Sequence, residues 1–289
     1  MQNVLVLGGN GFIGRHAVMA LVEQSTVTVG TRSAKAREDG LTEISVRLES
    51  LLRPEDWREI VAPFDSVLNC VGILRQRGRE TYDRIHHFAP AAIAEACRSA
   101  NKRFIHVSAL ALEHPHCSRF LTSKLAGEKA IASIGGDWAL ARPSLLEGQG
   151  GFGAAWLRGV ARLPIFAVPA DAKGKIAACL ATDVGEALAK LSIADDTSLR
   201  FSESRVFELG GIQHYGFKDY ILGLRQKQHR GAALAIPVPG LLARIGAHLC
   251  DLFHFSPFSF GHWELLRKDN VPTENRLPEL LGRTPGKVI

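Results

Sequence analysis

Hydrophobic and polar residues follow two different periods along the first 145 residues of the chain. Short apolar runs predict buried strands at 4–7, 27–29, 44–48, 67–71, 104–107 and 138–141. Between them, apolar residues that recur every three or four positions predict helices at 12–24, 91–100 and 118–134. Strands that alternate with helices are typical of a parallel sheet with helices on its faces. The pattern therefore predicts an α/β, doubly wound parallel sheet.

The regular alternation ends at Pro143. The segments that follow are mostly helical and are interrupted by proline and glycine; one helix is predicted to begin with Thr182 as its N-cap. A strand at 205–209 is predicted to return to the sheet. We therefore predict a sheet domain over 1–145, to which 176–210 returns, and a smaller, mostly helical lobe from 146–175 and 211–289.

The stretch 240–268 is rich in large apolar residues. They are Leu241, Leu242, Ile245, Leu249, Leu252, Phe253, Phe255, Phe258, Phe260, Trp263, Leu265 and Leu266. One interpretation is an apolar roof over a lipophilic substrate such as a quinone or isoprenoid, or a patch that leans on a membrane. The favoured interpretation is a small helical lobe that packs these residues as its own core.

Composition and charge exclude few classes of protein. The 289 residues are 46% hydrophobic and 22% charged, which is ordinary for a globular chain. A net charge of +6 suits an anionic small molecule and does not single out nucleic acid, so we predict no nucleic-acid partner. The five cysteines are scattered and form no C-x-x-C, which indicates free thiols in a reducing compartment.

The apolar runs also indicate the cellular compartment in which the protein is expected. The first run is a strand broken at Gly8 and Gly9, so the sequence predicts no signal peptide. No uninterrupted apolar run approaches the ~18 residues that a membrane-spanning helix needs. We therefore expect a cytoplasmic protein.

A glycine-rich loop joins the first predicted strand to the first helix. Gly8 permits a tight turn, Gly11 lets the backbone approach a pyrophosphate, and Gly14 lets the helix pack closely on the sheet. Free N–H groups at the start of that helix would face the anion. The loop predicts a Rossmann-like dinucleotide site, with contacts from Gly8, Asn10, Gly11, Phe12, Ile13 and Gly14.

The end of the second strand bears on the choice of dinucleotide. Arg32 stands where an NAD site would place an acid for the ribose, and its planar guanidinium suits a 2′-phosphate. NADP(H) is therefore the preferred cofactor, and NAD(H) is the alternative. In the competing interpretation, Arg32 points to solvent and binds no cofactor. Leu48 would flank the adenine, and Cys70, Val71 and Gly72 would pass the adenosine ribose.

These motifs give the chain a resemblance to the short-chain dehydrogenase/reductase superfamily, in its extended or atypical branch. The resemblance is carried by GGNGFIG (8–14), NCVG (69–72), HVSAL (106–110), SKLAGEK (123–129) and RPS (142–144). The chain is also similar to the NAD(P)H-binding accessory subunit of complex I and to bacterial NAD(P)H-binding, epimerase-like proteins. The bacterial likeness is carried by NCVGILR (69–75), HHFAP (86–90) and LLGR (280–283).

The resemblance implies a catalytic serine after strand five and a Tyr-x-x-x-Lys motif on the next helix. Ser108 and Lys124 match, but Phe120 stands at the tyrosine position. Phenylalanine has no ionisable proton and cannot act as the general acid or base. The resemblance also implies that Lys124 holds the cofactor ribose and that Pro143, with Ser144, lies near the nicotinamide amide.

Three interpretations of the missing tyrosine stay open. The lobe after Pro143 supplies another proton donor, with His214, Tyr215 and Tyr220 available; or the reaction needs no tyrosine; or the protein binds NADP(H) for sensing or structure. The first two make the chain an NAD(P)-dependent oxidoreductase or epimerase-like enzyme on a small molecule that the sequence does not identify, a lipophilic one being one option. The third makes it a non-catalytic accessory, assembly or redox-sensor protein, in contact with a respiratory complex or a membrane surface.

One further motif, HPHC at 114–117, offers two imidazoles and a thiol. A metal site would need a fourth ligand and a closed geometry. A polar surface loop is the favoured interpretation, and we predict no metal.

Overall fold

The computed structural model describes residues 1–36, 39–113, 118–193, 205–253 and 258–289. Its strands are β1 Gln2–Leu7, β2 Ser25–Thr31, β3 Thr42–Ser45, β4 Ser66–Asn69, β5 Arg103–Val107, β6 Trp138–Pro143, β7 Leu146–Glu147, β8 Ile165–Pro169, β9 Lys175–Ile176, β10 Cys179–Leu180, β11 Val206–Leu209, β12 Tyr215–Gly216 and β13 Leu234–Val238.

The α-helices are α1 Phe12–Leu21, α2 Arg58–Val61, α3 Ala89–Ser99, α4 Arg119–Ile134, α5 Phe152–Arg162, α6 Ala181–Ile193, α7 Phe217–Lys227, α8 Gly240–Phe253, α9 Phe260–Leu266 and α10 Leu277–Leu281. Short 3₁₀ turns occupy Leu48–Ser50 and Pro54–Trp57, and a π-helical turn over Asp83–Phe88 leads directly into α3.

Seven strands form one parallel sheet in the order β11-β6-β5-β4-β1-β2-β3. The strand order reverses between β1 and β4. In sheets of this kind the crevice at such a reversal, beyond the carboxyl ends of the strands, is where a dinucleotide binds. The β1 residues alternate between two cores, because Val4 and Val6 pack with α1 and α6 while Leu5 and Leu7 pack with α2 and α3. The α/β doubly wound fold is confirmed.

Two of the predicted strands run past the observed ends, and those two predictions are wrong. Strand β4 ends at Asn69, because the Asn69 side-chain oxygen accepts a hydrogen bond from the Val71 amide at 3.0 Å and turns the chain out of the sheet. Strand β3 ends at Ser45, so Leu48 opens a 3₁₀ turn instead of ending a strand.

The return of the chain to the sheet was predicted correctly, but not the start of its helix. Helix α6 begins at Ala181, directly after β10, so Thr182 lies in the first turn and is not the N-cap. Strand β11 joins the sheet beside β6 in parallel register.

The segments after Pro143 that leave the sheet have a core of their own. Its members include Leu157, Phe166, Ile176, Tyr220 and Leu224. Strands β8 and β13 pair in parallel as a two-stranded ribbon beside this core.

The favoured interpretation of the stretch 240–268 is wrong for most of α8. The buried core there consists of Ala243, Ala247 and Trp263. The large apolar residues of the helix are 46–69% exposed; they are Leu241, Leu242, Ile245, Leu249, Leu252 and Phe253. Phe255 lies outside the described residues. Among the helices that the structure describes, none combines the length and apolar character needed to cross a bilayer.

Candidate nucleotide-binding and active site

The glycine loop has the steric features of a pyrophosphate cradle. Gly8 has φ +74°, a conformation that residues with a side chain rarely adopt. The Gly11 amide donates to the Gly8 carbonyl at 2.8 Å and closes the turn. A Cβ on Gly14 would collide with the Gly8 carbonyl oxygen, so only glycine lets α1 lie this close to the loop.

The start of α1 leaves amide donors available to an anion. Gly11 is the N-cap in an extended conformation without a side-chain cap, and the first helical donor is the Arg15 amide, 3.0 Å from the Gly11 carbonyl. The amides of residues 12–14 therefore have no partner within the helix. The Phe12 ring packs against Gly148 and Gly151, so Phe12 would serve the cofactor only through its backbone.

A cavity of about 710 Å³ lies at the carboxyl ends of β1, β2 and β4. It brings together most of the predicted cofactor contacts, namely Gly8, Asn10, Gly11, Arg32, Leu48, Cys70, Val71 and Gly72. Leu48 lines it although its strand assignment was wrong. Burial raises the pKa of the Cys70 thiol to about 12, so this wall of the cavity is uncharged at neutral pH. The cradle, the free amides and the cavity fit the nucleotide half of a dinucleotide.

The outer rim of this cavity carries charges of both signs. Arg32 is 74% exposed, and its Nη1 lies 2.9 Å from Glu80 Oε1. Glu43 accepts hydrogen bonds from Asn10 Nδ2 at 2.8 Å and from the Lys35 amide at 3.0 Å. Sequence reasoning missed both glutamates, because neither lies in a recognisable motif. The predicted phosphate ligand is therefore an exposed arginine that is ion-paired with Glu80, and Glu43 and Glu49 line the same cavity.

Ser108 lies just after β5. Its amide donates to the Ala141 carbonyl at 2.8 Å, which fixes the backbone against β6. The residue is 5% exposed, and its hydroxyl has no hydrogen-bond partner among the described residues. A buried hydroxyl without a partner is costly, and such groups are commonly satisfied by water or a ligand.

Lys124 is buried on α4. Burial lowers its pKa to about 8, against the opposing effect of Glu128 one turn later. Glu128 forms an ion pair with Arg142, whose Nη2 lies 2.6 Å from Glu128 Oε2. The negative charge of Glu128 is therefore shared between Arg142 and Lys124. Within the described chain, the amine makes no hydrogen bond or ion pair. A Cβ built on Gly72 would lie 3.9 Å from Lys124 Nζ, so the lysine adjoins the edge of the nucleotide cavity.

Phe120 lies in an aromatic cluster. Its ring centroid is 5.5 Å from that of His86, 5.9 Å from that of Tyr82 and 6.2 Å from that of His262. Lys124 Nζ is 5.8 Å from the same ring. Helix α9 of the C-terminal stretch packs on the start of α4, where a Cβ on Gly261 would lie 3.2 Å from Phe120 Cδ1.

The two histidines of this cluster are poor proton donors. His86 Nε2 accepts from the Ile73 amide at 3.1 Å, and its Nδ1 bonds the Ser123 hydroxyl at 3.0 Å. Burial, with the charge of Lys124 beside it, holds the pKa of His86 well below its ordinary value. Burial also lowers the pKa of His262 to about 4. Both imidazoles are neutral at physiological pH.

The residues predicted as substitute donors are engaged elsewhere or exposed. The Tyr220 hydroxyl is buried in the lobe core and donates to Glu147 Oε2 at 3.4 Å, and burial raises its pKa. The Tyr215 hydroxyl donates to Gln213, and His214 is exposed.

Pro143 and Ser144, the predicted nicotinamide contacts, lie at the end of β6. The Pro143 carbonyl accepts from the Leu110 amide at 3.3 Å, which ties the end of β6 to the segment after Ser108. The Ser144 hydroxyl lies 2.7 Å from Asn270 Oδ1. The HPHC motif at 114–117 lies outside the described residues.

Comparison with known proteins places this geometry among nucleotide-binding proteins. A family model described as NAD(P)H-binding matches residues 8–155. A ceramide reductase of Caulobacter vibrioides is 30% identical over 154 residues, which are 51% of this chain and 47% of that protein. Subunit 9 of the NADH dehydrogenase (ubiquinone) 1 alpha subcomplex of Rattus norvegicus is 30% identical over 152 residues, covering 50% and 40%. The matched segments span about half, or less, of these relatives' own length.

Solved structures agree with the fold. An NADPH-dependent quinone oxidoreductase of Escherichia coli superposes with a TM-score of 0.72 at 14% identity, over 98% of this chain and 96% of that one. Nucleotide-sugar epimerases superpose in the same way. At such low identity these likenesses concern the fold alone. The sequence relatives confirm the resemblance to the complex I subunit, and the solved structures confirm the Rossmann-like fold.

Proposed function

The chain belongs to the NAD(P)H-binding family, and on this premise we propose that it is an NADPH-dependent reductase that acts on a carbonyl group of a long-chain lipid. The supporting observation is the buried Ser108 hydroxyl, which has no hydrogen-bond partner among the described residues, together with Lys124, a buried residue whose nearest described aromatic contact is the Phe120 ring at 5.8 Å. A lysine with only a structural role would be expected to pair with an acid or to reach solvent. A bound ligand would satisfy the Ser108 hydroxyl and give the Lys124 ammonium a hydrogen-bond acceptor.

The cofactor would be held mainly by backbone. The loop from Gly8 to Gly14 would bind the pyrophosphate through its amides, and Lys124 would bind the nicotinamide ribose. Arg32 would release Glu80 to bind the 2′-phosphate, since a guanidinium binds a phosphate dianion by two charge-assisted hydrogen bonds. Bound NADPH would supply the hydride that reduces the carbonyl carbon.

The proton for the carbonyl oxygen would come from Lys124. Its pKa of about 8 leaves the ammonium form dominant at neutral pH but close enough to that pH to give up a proton. The Ser108 hydroxyl would donate a hydrogen bond to the same oxygen and orient it. Phe120 contributes no proton and covers the amine with an apolar ring.

The substrate class is proposed from three observations. One relative bears the name ceramide reductase, and the nucleotide cavity adjoins the buried Ser108 and Lys124 region through Gly72. The C-terminal part of the chain also carries exposed leucines, which suit a protein that meets lipids. A cytoplasmic location remains a prediction.

A second function, NADP(H) binding without turnover, is favoured by the packing around Phe120. Three aromatic rings surround the position of the usual tyrosine, and two of them are neutral imidazoles. Such a protein would resemble the complex I subunit among the relatives and would bind a protein complex.

The decisive experiment is NADPH oxidation by the purified chain with a panel of long-chain keto lipids and quinones. We expect Ser108→Ala to lower kcat by about 100-fold without a change in NADPH affinity, since it removes a donor to the developing oxyanion. The matched control is Ser133→Ala, at an exposed serine on the outer part of α4, which should leave kcat unchanged. Tight NADPH binding with no turnover on the whole panel would favour the accessory function.

A further inference from the structure

Helix α8 presents its large apolar side chains to the outside. At 100° per residue, Leu241, Leu252, Ile245, Leu249, Leu242 and Phe253 fall on one arc of about 120°. We call these six residues the α8 stripe. All six are exposed, by 46–69%.

The opposite side of α8 is what holds it to the protein. Ala243 and Ala247 are buried there against Trp263, and Asp251 bonds the Phe260 amide at 2.9 Å. A surface helix normally buries its large apolar residues and exposes polar ones. Here small residues face the protein and large ones face outward, so the stripe is left to be covered by something else.

The ribbon that leads into α8 repeats this arrangement. Leu234 pairs with Ile165 and Ile236 pairs with Ala167, so the four side chains share one face, and all four are exposed. The other face buries Phe166 against the lobe core. Strand β13 ends at Val238 and α8 begins at Gly240, so the two apolar surfaces follow each other along the chain.

Three of the four charged residues in the segment from the end of α7 to the end of α8 are cations. From 226 to 253 the charged residues are Lys227, Arg230, Arg244 and Asp251. The three cations are exposed, although the Lys227 amine also donates to the Val288 carbonyl at 2.8 Å, whereas Asp251 is bound by Arg75 at 3.5 Å. At the start of α8, Asp171 is bound in the same way by Arg267 at 3.1 Å.

We propose that the α8 stripe docks on an anionic phospholipid surface, with α8 lying in the plane of that surface. An apolar arc on a helix that also carries an exposed cation, here Arg244, with Lys227 and Arg230 in the segment before it, is similar to helices that lie in the membrane interface. Each cation adds attraction to anionic headgroups, and no unpaired acid in this segment opposes it. The docking does not depend on the reductase chemistry proposed above.

The same charges argue against a second copy of the chain as the partner. A two-fold interface places the same patch on both subunits. The rims would then bring arginine and lysine against arginine and lysine, with no free acid from this segment to pair with them. A lipid surface supplies the missing negative charge.

The test is flotation of the full chain with vesicles. We expect it to float with phosphatidylcholine–phosphatidylglycerol vesicles and weakly with phosphatidylcholine alone. Ile245→Ser with Leu249→Ser should lower the partition coefficient by about tenfold or more, because two buried side chains are lost from the interface. Arg230→Gln with Arg244→Gln should remove most of the preference for anionic vesicles, and salt should do the same to the wild type.

The matched control is Met19→Ser with Ile212→Ser, two exposed apolar residues away from α8 that are 67% and 56% exposed. It should float like the wild type, and NADPH titration and circular dichroism should show that all variants are folded. Three outcomes would overturn the proposal: no binding of the wild type to anionic vesicles, equal binding by the stripe variant, or a stable dimer that the stripe variant dissociates.

Discussion

The two ends of the candidate nucleotide site are built in different ways. At the glycine loop, binding would depend on backbone amides and on the absence of side chains at Gly8 and Gly14. At the redox end, chemistry would depend on single side chains, and the resemblance implies that Phe120 stands where one of them, a tyrosine, is expected. Backbone geometry tolerates no substitution at these glycines, whereas an apolar ring packs well where the tyrosine would stand. A fold can therefore retain its nucleotide site while its usual chemistry is lost or altered.

Gly14→Ala should have the largest effect, because the new methyl group meets the Gly8 carbonyl and must push α1 away from the loop. We expect NADPH affinity to fall by about 100-fold, the equivalent of about 3 kcal/mol of overpacking. Fluorescence titration with NADPH measures it.

Gly159→Ala in α5 is the matched control, since its Cβ would meet no described atom within 4 Å. It should bind NADPH like the wild type. If both alanine variants bind normally, the glycine loop is not the pyrophosphate site.

Lys124→Met should come next, with opposite effects on stability and on turnover. The wild-type lysine has a pKa of about 8 in the folded chain and 10.5 ordinarily, so the unfolded chain binds more protons between these values. Stability of the wild type should therefore rise as pH increases from about 8 to about 10.5, where the penalty of the buried charge disappears.

At neutral pH, the methionine variant should gain on the order of 3 kcal/mol in free energy of unfolding, and it should lose this pH dependence. Urea denaturation at pH 7 and at about pH 10 measures both effects. In turnover the same variant should lose about 100-fold in kcat, and the wild-type kcat should fall above pH 8 as the ammonium deprotonates. A variant that is no more stable than the wild type would show that Lys124 is satisfied in the free protein.

The sequence predicted those parts of the site that depend on backbone pattern. The alternation of strand-like and helix-like apolar patterns predicted the strands of the parallel sheet. The spacing of Gly8, Gly11 and Gly14 predicted where along the chain the nucleotide would bind. Residues whose role comes from tertiary neighbours were missed. Glu43, on β3, accepts a hydrogen bond from Asn10 in the glycine loop, and the Asn69 side chain accepts one from the Val71 amide where β4 ends.

The α8 stripe was misjudged for a related reason. Apolar periodicity shows that a helix has an apolar side, but it does not show which side faces the protein. The missing information lay in Ala243 and Ala247, whose small side chains let the helix pack through the opposite side.

Arg32→Glu should have a smaller effect, confined to the adenosine end. The variant should bind NADPH about tenfold more weakly and NADH unchanged or better, because a carboxylate repels a 2′-phosphate and accepts from a ribose hydroxyl. Parallel titrations with both nucleotides measure the ratio. Arg53→Glu, at another exposed arginine, is the control. If the ratio of NADPH affinity to NADH affinity is unchanged, Arg32 does not bind the 2′-phosphate. Glu43 would then be the residue that binds the adenosine ribose, which favours NAD(H).

Phe120→Tyr should have the smallest effect. If Lys124 already supplies the proton, a new hydroxyl duplicates an existing donor, and kcat on the best substrate should rise by no more than about threefold, against the 10²–10⁴ that a sole general acid contributes. The loss of kcat above pH 8 should persist in the variant, since Lys124 still controls it. A gain of about 100-fold, with that pH dependence removed, would mean that the redox end lacks a proton donor in the wild type. The contrast between the two ends would then be between a complete binding site and an incomplete catalytic one.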